Sequence, residues 1–315
     1  MIGSTISVGN IRDAATSIDP VFLHSPQFVS EPMSERLGAA TLLKVETVNP
    51  IRSFKGRGTD YLLQQMPGVD RLVCASAGNF GQGMAYACRT RRIDLTVFAS
   101  DAASPLKLAR MRALGARIEL VAGDFDQAKD AARRHADATG ALFVEDGLLG
   151  PIAEGAGTIA VELSEGQPLD YVFVPLGNGS LVNGVGTWLK HRWPQTRVVA
   201  VCAKGAPSMA LSWKAREPVT APSETIADGI AVRVPVPEAV ELTSKTVDEV
   251  MLVDDDEMRE AMQLLFHAGG LLVEPAGAAG VAAIAQRADE LRGRSVAAIL
   301  TGGNLTEQQI RDWIY

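Results

Sequence analysis

The chain has 315 residues, of which 47% are hydrophobic and 21% are charged, and its formal net charge is −7. These values predict a globular protein of about two domains and argue against general affinity for nucleic acid phosphates, which requires a concentrated positive surface. No apolar run approaches the ~20 residues that a membrane span needs, and the N-terminus lacks the basic and apolar regions of a signal peptide.

Short β-branched runs alternate with helical patterns along most of the chain. The predicted strands are 71–76, 95–100, 117–122, 141–145, 171–176, 197–203 and 296–301, and the predicted helices are 81–91, Ser104 to about Leu114, Asp124 to about Ala138 and 181–192. Repeated β-α-β units with near-continuous apolar strands are typical of parallel sheets that helices cover on both faces. Ligands bind such sheets at the carboxyl ends of strands. The irregular, proline-containing residues 204–250 are expected to wrap the surface near the entrance of a site.

A glycine-rich stretch follows the predicted strand 171–176 and opens the next helix, reading PLGNGSLVNG over residues 175–184. Its glycines let backbone N–H groups point inward, and the helix N-terminus adds partial positive charge, so the turn suits a phosphate. The same pattern also occurs where a turn only has to pack tightly. A dinucleotide fingerprint would need a glycine where Val182 stands, and a P-loop would need Gly-Lys-Ser/Thr. The pattern therefore favours a small phosphate over a nucleotide.

Two further polar turns follow predicted strands. Residues 76–81 read SAGNFG, and small residues that open a helix form a backbone nest suited to a carboxylate, while the Asn79 side chain is a donor for a phenolic or carbonyl oxygen. Residues 301–304 read TGGN after an apolar strand. A plain Asx-type cap at Asn79 and a hydroxyl that satisfies only backbone groups at Thr301 are the alternatives.

Lys55 lies in the stretch NPIRSFKGRG, residues 49–58. Taken alone, a short basic cluster after Asn-Pro is typical of an exposed loop with a solvated lysine. A phosphate cradle, a carboxylate nest, an asparagine, a hydroxyl and a lysine nevertheless form a complete set of groups for holding a phosphorylated aromatic aldehyde and an amino acid.

Seven blocks of the sequence, in order, resemble the fold-type II pyridoxal-phosphate enzymes, and within them the threonine/serine dehydratase and serine racemase group. The blocks are LLKVETVNPIRSFKGRG (42–58), SAGNFGQGMAYA (76–87), KLARMRALGARIELVAGDFDQA (107–128), PLGNGSLVNG (175–184), ETIADGIAV (224–232), LLVEPAGAAGVAA (271–283) and ILTGGN (299–304). The resemblance implies an α/β fold of the tryptophan synthase β type, with two parallel-sheet, three-layer domains and pyridoxal 5′-phosphate (PLP) in the cleft between them. We expect a large PLP-binding domain from 1–65 and 152–315, and a smaller mobile α/β domain, 66–151, inserted in it.

The resemblance also implies a role for each matching residue. Lys55 would be the catalytic Schiff-base lysine, and Phe54 would pack near the cofactor ring. Asn79 would contact the cofactor's 3′-oxygen, and Thr301 would face the pyridine nitrogen. The cofactor's phosphate would be held by Gly177, Asn178, Gly179, Ser180 and Leu181. The substrate's α-carboxylate would be bound by Ser76, Ala77, Gly78 and Asn79.

These residue types suit one reaction. A partly desolvated lysine loses its proton more readily, and its freed amine can then act as general base on Cα–H. A hydroxyl at Thr301 leaves the pyridine nitrogen largely unprotonated, which favours loss of a β-leaving group over transamination. The predicted reaction is β-elimination from a serine- or threonine-like β-hydroxy-α-amino acid, which gives a 2-oxo acid and ammonia.

Four positions depart from the group's usual pattern. Phe80 stands where the dehydratases have histidine, which makes the pocket edge apolar and leaves the amino acid substrate open. Asn178 and Ser180 replace two glycines of the phosphate turn, and both side chains are still donors. Ala77 replaces the serine that racemases use as a second acid/base group, which favours elimination over racemisation.

Two further features set limits on regulation. Metal-dependent members carry two acidic ligands where this chain has Cys202 and Ser208, so we predict no metal site there. The sequence ends soon after TGGN, so we expect no C-terminal regulatory domain of the biosynthetic threonine deaminase kind.

Other reactions and another class remain as alternatives: β-replacement of the cysteine synthase kind, racemisation, or a non-catalytic nucleotide-binding α/β protein. The three cysteines, Cys74, Cys88 and Cys202, are widely spaced in apolar runs, which is typical of buried reduced thiols. We therefore expect a cytoplasmic protein that acts on a small-molecule amino acid, with no nucleic acid or membrane partner, and a homodimer.

Overall fold

A computed structural model describes residues 3–315 of the chain and contains two separate β-sheets covered by helices. Its strands are β1 Gln27–Val29, β2 Ala40–Val45, β3 Arg71–Ala75, β4 Asp94–Ser100, β5 Arg117–Val121, β6 Leu142–Val144, β7 Tyr171–Pro175, β8 Arg197–Ala203, β9 Glu249–Val253 and β10 Ser295–Leu300. Its helices are α1 Val8–Ser17, α2 Glu31–Leu37, α3 Lys55–Gln64, α4 Asn79–Arg91, α5 Pro105–Ala113, α6 Phe125–Thr139, α7 Gly150–Leu163, α8 Ser180–Arg192, α9 Ser208–Ala215, α10 Pro237–Thr246, α11 Asp255–Gly269, α12 Pro275–Gln286 and α13 Glu307–Trp313.

The larger sheet has six strands in the order β1-β2-β10-β7-β8-β9. All neighbours pair in parallel except β1, which pairs with β2 in antiparallel register at the edge. The central strands β7, β8 and β10 are almost continuously buried, because helices cover both faces. Their apolar runs in the sequence, such as VFV at 172–174 and VVAV at 198–201, follow from this burial.

The smaller sheet has four parallel strands in the order β5-β4-β3-β6. Its strands all lie between residues 71 and 144, and those of the larger sheet lie outside this range. The predicted α/β architecture with parallel sheets is therefore confirmed, while the domain boundaries at 65/66 and 151/152 stay a prediction. Within residues 3–315, none of the helices combines the length and the apolar character of a membrane span.

The predicted strands and helices fall within one or two residues of the observed ones, because each has a local start or stop signal. Asp124 caps α6 and Asp254 caps α11, each through a reciprocal capping box. Ser104 precedes α5 as predicted, but its side chain makes no capping hydrogen bond. Pro105 at the helix start needs no N–H partner, which lowers the demand for such a cap.

A fully buried ion network ties α3 to its surroundings. The guanidinium of Arg57, two residues after Lys55, donates to Glu46 at 2.9 Å and to both carboxylate oxygens of Glu162, at 2.5 and 2.9 Å. Lys44 Nζ also donates to Glu162, at 2.5 Å. Burial opposes ionisation of Glu162, but Arg57 and then Lys44 outweigh it and lower its pKa to about 2. Burial lowers the pKa of Lys44 despite this pairing, so Arg57 is the principal cation that keeps Glu162 ionised.

We expect this network to make the protein sensitive to acid. The folded-state pKa of Glu162 is depressed from 4.5 to about 2, so its contribution to stability is present above pH 4.5 and is lost as the pH falls toward 2. The shift corresponds to about 3 kcal/mol of unfolding free energy. Glu162→Gln should lower stability at neutral pH and flatten its dependence on pH between 4.5 and 2, measured by denaturant unfolding at each pH. Exposed Glu165→Gln is the control, and an equally steep dependence in both variants would contradict the assignment.

Candidate active site

A cavity of about 490 Å³ lies between the two sheets, where strands of both end. This is where ligands bind in open α/β sheets. The structure places the whole predicted set of site residues on its wall: Phe54, Lys55, Ser76, Ala77, Gly78, Asn79, Gly177, Asn178, Gly179, Ser180, Leu181 and Thr301. Residues separated by more than 200 positions in sequence are thus brought to one cavity.

Lys55 is the first residue of α3, and only 14% of its side chain is exposed. Its Nζ lies 4.8 Å from the centre of the Phe54 ring and 5.8 Å from that of Phe80. The start of the helix is fixed by the backbone, since Phe54 N–H donates to the Thr301 carbonyl at 3.0 Å. Lys55 is therefore a largely enclosed amine beside two aromatic rings, and the reading of this segment as an exposed basic turn is wrong.

The glycine-rich turn lines the same cavity at the start of α8. Gly179 adopts φ +91°, a left-handed conformation that favours glycine, and the first turn of α8 carries no acidic side chain. A Cβ at position 177 would lie 2.7 Å from the carbonyl oxygen of Gly229, so the turn packs there only with a glycine. The helix N-terminus, with the side chains of Asn178 and Ser180, presents donors and partial positive charge to an anion.

The loop from β3 to α4 forms another wall of the cavity. Ser76 Oγ accepts hydrogen bonds from the backbone N–H groups of Gly78, at 3.2 Å, and Gly81, at 2.9 Å. The serine hydroxyl thereby orders the loop and keeps its own hydrogen to donate. Ala77 adds no side-chain donor or acid. The loop and the start of the 13-residue helix α4 suit a carboxylate better than a cation.

Asn79 belongs to a polar cluster that sequence reasoning missed. Its Nδ2 donates to Glu274 at 2.5 Å, and its Oδ1 accepts from Asn304 Nδ2 at 2.8 Å. Asn304 N–H also donates to Glu274, at 3.2 Å. The Asn79 amide is thus fixed in orientation and keeps one N–H hydrogen for a ligand. Glu274 and Asn304 lie in the sequence blocks 271–283 and 299–304, where a lone polar residue in an apolar run was the available signal.

Glu274 also forms an ion pair with a lysine on a helix beside the smaller sheet. Lys107 on α5 lies 2.5 Å from Asp228 and 3.8 Å from Glu274. Burial raises the pKa of Glu274, and the charge of Lys107 opposes that rise. Burial likewise opposes the charge on Lys107, but Glu274 and Asp228 outweigh it and raise the lysine's pKa. This cluster connects the two halves of the cavity.

Comparison with known proteins agrees with this geometry. A family model described as pyridoxal-phosphate dependent enzyme matches residues 21–302. The chain belongs to this family. The L-threonine ammonia-lyase of Thermotoga maritima is 34% identical over 97% of this chain and 77% of its own length. The biosynthetic L-threonine dehydratase of Lactococcus lactis is 32% identical over 95% of this chain and 75% of its own length.

Solved structures of the same family share the fold. Maize serine racemase superposes with a TM-score of 0.89 at 26% identity, covering 98% of this chain and 96% of that one. The processed threonine deaminase isoform 2 of Solanum lycopersicum gives 0.88 at 26% identity, covering 99% and 95%. The predicted resemblance to the fold-type II PLP enzymes, the cofactor and the PLP-dependent lyase class are confirmed.

The residues present fit PLP. The turn at 177–181 offers a cradle at a helix N-terminus for the phosphate, and Lys55 offers an amine for the aldehyde. Phe54 supplies an apolar wall, and the remaining N–H of Asn79 is a donor for a phenolic oxygen. A negatively charged phosphate, an aromatic ring and an aldehyde thus each find a matching group in one cavity.

Cys202 and Ser208, the positions discussed for a divalent cation, have other environments. Ser208 Oγ donates to the Val232 carbonyl at 2.6 Å. Burial raises the pKa of the Cys202 thiol to about 12, so it stays protonated, and a hard cation prefers oxygen ligands. These surroundings agree with the predicted lack of a metal site at this position, which stays a prediction.

The predicted phosphate-binding role of the turn at 177–181 can be tested through Gly147. It adopts φ +89°, and a Cβ there would lie 2.6 Å from the Asn178 carbonyl oxygen. Gly147→Ala should weaken PLP binding at least tenfold because the added methyl pushes on the turn, measured by absorbance titration of PLP-depleted protein. Gly140→Ala is a matched control: it has φ +68° but no atom within 4 Å of the added Cβ. Both variants should lose ~1 kcal/mol of stability from backbone strain, and equal PLP affinities would contradict the role of the turn.

Proposed function

We propose that this protein is a PLP-dependent ammonia-lyase that removes the β-hydroxyl of a serine- or threonine-like β-hydroxy-α-amino acid and releases a 2-oxo acid and ammonia. The observation that carries the proposal is the position of the enclosed Lys55 amine in the same cavity as the phosphate-binding turn at 177–181. The names of the relatives, L-threonine ammonia-lyase and L-threonine dehydratase, support the same reaction.

Lys55 is the residue to which we assign the covalent attachment and the proton transfer. When bound, PLP withdraws electrons from Cα of the amino acid and so allows loss of the Cα proton and of the β-hydroxyl. The Lys55 amine, once the substrate has replaced it, accepts the Cα proton. Its enclosed position between Phe54 and Phe80 limits access of water to this amine.

The loop at 76–79 is the proposed site for the substrate's α-carboxylate. Ser76 retains a hydroxyl hydrogen, and the N-terminus of α4 adds backbone donors and partial positive charge. Thr301, which is 5% exposed on the cavity wall, is the proposed neighbour of the pyridine nitrogen. A hydroxyl carries no charge, so Thr301 does not stabilise a protonated ring as a carboxylate would. This arrangement favours loss of the β-group over transamination.

The attachment residue can be tested directly. Lys55→Ala should abolish the covalent adduct that borohydride fixes between PLP and the protein, and should reduce release of 2-oxo acid by at least a thousandfold. Lys129→Ala is the control, because Lys129 lines the same cavity but is paired with Asp126 and Glu145. Peptide mass spectrometry locates the adduct and a coupled assay measures the product. A Lys55→Ala variant with full turnover would contradict the proposal.

The substrate preference follows from the apolar edge at Phe80. The cavity is also lined by Phe54, Phe143 and Val234, so a methyl group on Cβ gains apolar surroundings. Burying one methyl is worth ~1 kcal/mol, or about fivefold. We therefore expect kcat/KM for threonine to exceed that for serine by about fivefold or more. β-Phenylserine, which carries a larger apolar group on Cβ, tests contact with the same apolar residues. A clear preference for serine would contradict this reading of the pocket.

A second reaction on the same site is racemisation, which the similarity to maize serine racemase brings forward. Racemisation needs a second acid that returns the proton to the opposite face of Cα. Racemases of the group have a serine for this role at the position of Ala77, and alanine has no acidic or hydroxyl group. Release of 2-oxo acid without an added nucleophile distinguishes elimination from β-replacement. Circular dichroism of the remaining amino acid distinguishes elimination from racemisation.

We further propose that the protein works as a cytoplasmic homodimer. The three free cysteines are buried, and burial raises the pKa of Cys88 and Cys202 to about 12, which suits reduced structural thiols. Homodimers are the commonest soluble oligomers. Light scattering coupled to size-exclusion chromatography measures the mass directly.

A further inference from the structure

Asp146 joins the two functional parts of the cavity. It follows β6 and precedes α7, and 12% of its side chain is exposed. One carboxylate oxygen, Oδ2, accepts a hydrogen bond from Lys55 Nζ at 2.5 Å. The other, Oδ1, accepts from Ser180 Oγ at 2.7 Å. A single carboxylate therefore bridges the reactive amine and the first residue of the phosphate-binding helix.

The other charged side chains around the cavity are directed to partners of their own. Among residues 3–315, the cavity's remaining ion pairs are Lys107 with Asp228 and Glu274, Lys129 with Asp126 and Glu145, and Arg233 with Asp124 and Asp126. Burial raises the pKa of the Cys74 thiol, and the charges of Cys88 and then Asp146 raise it further. Asp146 is thus the acid that faces Lys55.

Ser180 limits what Asp146 can do when an anion arrives. A serine hydroxyl has one hydrogen to donate, so Ser180 donates either to Asp146 or to a phosphate in the turn at 177–181. A phosphate there also places negative charge beside the end of Asp146 that contacts Ser180. Lys55 contacts the other oxygen of the carboxylate, Oδ2.

We propose that Asp146 couples binding of the cofactor's phosphate to deprotonation of Lys55. When the phosphate takes the hydrogen bond of Ser180, the carboxylate loses a donor and gains an anionic neighbour, and both effects favour its protonation. The proton comes from Lys55: one N–H bond of the ammonium breaks, an O–H bond forms on Oδ2, and a neutral amine and a neutral carboxylic acid result. The neutral amine is the form that attacks an aldehyde.

This inference concerns how the site becomes loaded with PLP, and it rests on the assignment of Lys55 and Ser180 in the proposed function. It can fail independently, because its test uses no amino acid substrate. Ala77, Thr301 and the β-elimination are not involved. The inference gives Asp146 a role as a catalytic residue for attachment, since it touches the reacting nitrogen.

The test measures the reactivity of the Lys55 amine in PLP-depleted full-length protein. Reductive methylation with formaldehyde and cyanoborohydride is followed by peptide mass spectrometry from pH 6 to 9, with Lys129 in the same digest as an internal reference. Each series is run in inorganic phosphate and in chloride of equal ionic strength. For the wild type we expect phosphate to accelerate methylation of Lys55 at least threefold at pH 7.5 and not that of Lys129.

Three variants distinguish a specific effect of Asp146 on Lys55 from a general effect of charge in the cavity. Asp146→Asn keeps the size of the side chain but removes its charge, so Lys55 should react at least fivefold faster than in the wild type in chloride and show no acceleration by phosphate. Ser180→Ala keeps the Asp146–Lys55 pair but removes the hydroxyl that donates to Asp146. Lys55 should therefore react faster than in the wild type in chloride, by less than in Asp146→Asn, and phosphate should add less acceleration than in the wild type. Glu145→Gln removes the neighbouring carboxylate, which pairs with Lys129. In this variant the methylation rates of Lys55 itself should match those of the wild type in both media.

The proposal is overturned if Asp146→Asn keeps the wild-type rates, or if phosphate leaves methylation of Lys55 unchanged or slows it in the wild type. It is also overturned if Glu145→Gln shows the same changes as Asp146→Asn, since a general charge effect would then explain both. Thermal unfolding checks that each variant is folded. If Asp146→Asn does not fold, Asp146→Ser replaces it in the comparison with the wild type, and Ser180→Ala still tests the response to phosphate.

Discussion

The buried guanidinium of Arg57 is the interaction on which the geometry of the cavity depends. It lies in the first turn of α3, two residues after Lys55, and binds carboxylates from β2 and α7. A buried arginine without its partners would be strongly destabilising, so the first turn of α3 can lie only where Glu46 and Glu162 meet it. The direction of the Lys55 side chain into the cavity follows from this placement.

Close backbone packing transmits this placement to the phosphate turn. Helix α7 lies between α3 and α8, and glycines line both contacts. A Cβ at Gly155 would lie 2.5 Å from the Arg57 carbonyl oxygen, and one at Gly184 would lie 1.9 Å from that of Ala153. Side chains at these positions would force the helices apart. The distance between the lysine at the start of α3 and the phosphate cradle at the start of α8 is therefore set by three helices in near-direct contact.

The helices and strands could be predicted from local sequence signals, whereas the residues of the cavity wall could be predicted from the resemblance to a family. Strands such as 197–203 and caps such as Asp124 are local signals, so their positions were predicted to within one or two residues. Lys55 and the turn at 177–181 were predicted as site residues because their residue types match a resemblance carried by seven blocks, and the structure places both on the cavity wall. Asp146 and Glu274 were not assigned, since their roles arise from contacts with residues 91 and 195 positions away. Nothing local distinguishes such a carboxylate from a solvated one.

Charge pairing across the cavity explains why such contacts matter for function. Lys107 and Asn79 belong to helices of the smaller sheet, while Glu274 and Asp228 belong to the larger one. Each of these polar groups would be costly to bury alone, so the two sheets approach only where the partners meet. The same pairing fixes the amide of Asn79, and the Lys55–Asp146 ion pair contacts Ser180 at the start of α8. A ligand that carries both a phosphate and an aldehyde changes the partners of that one pair, and the remaining pairs hold the walls in place around it.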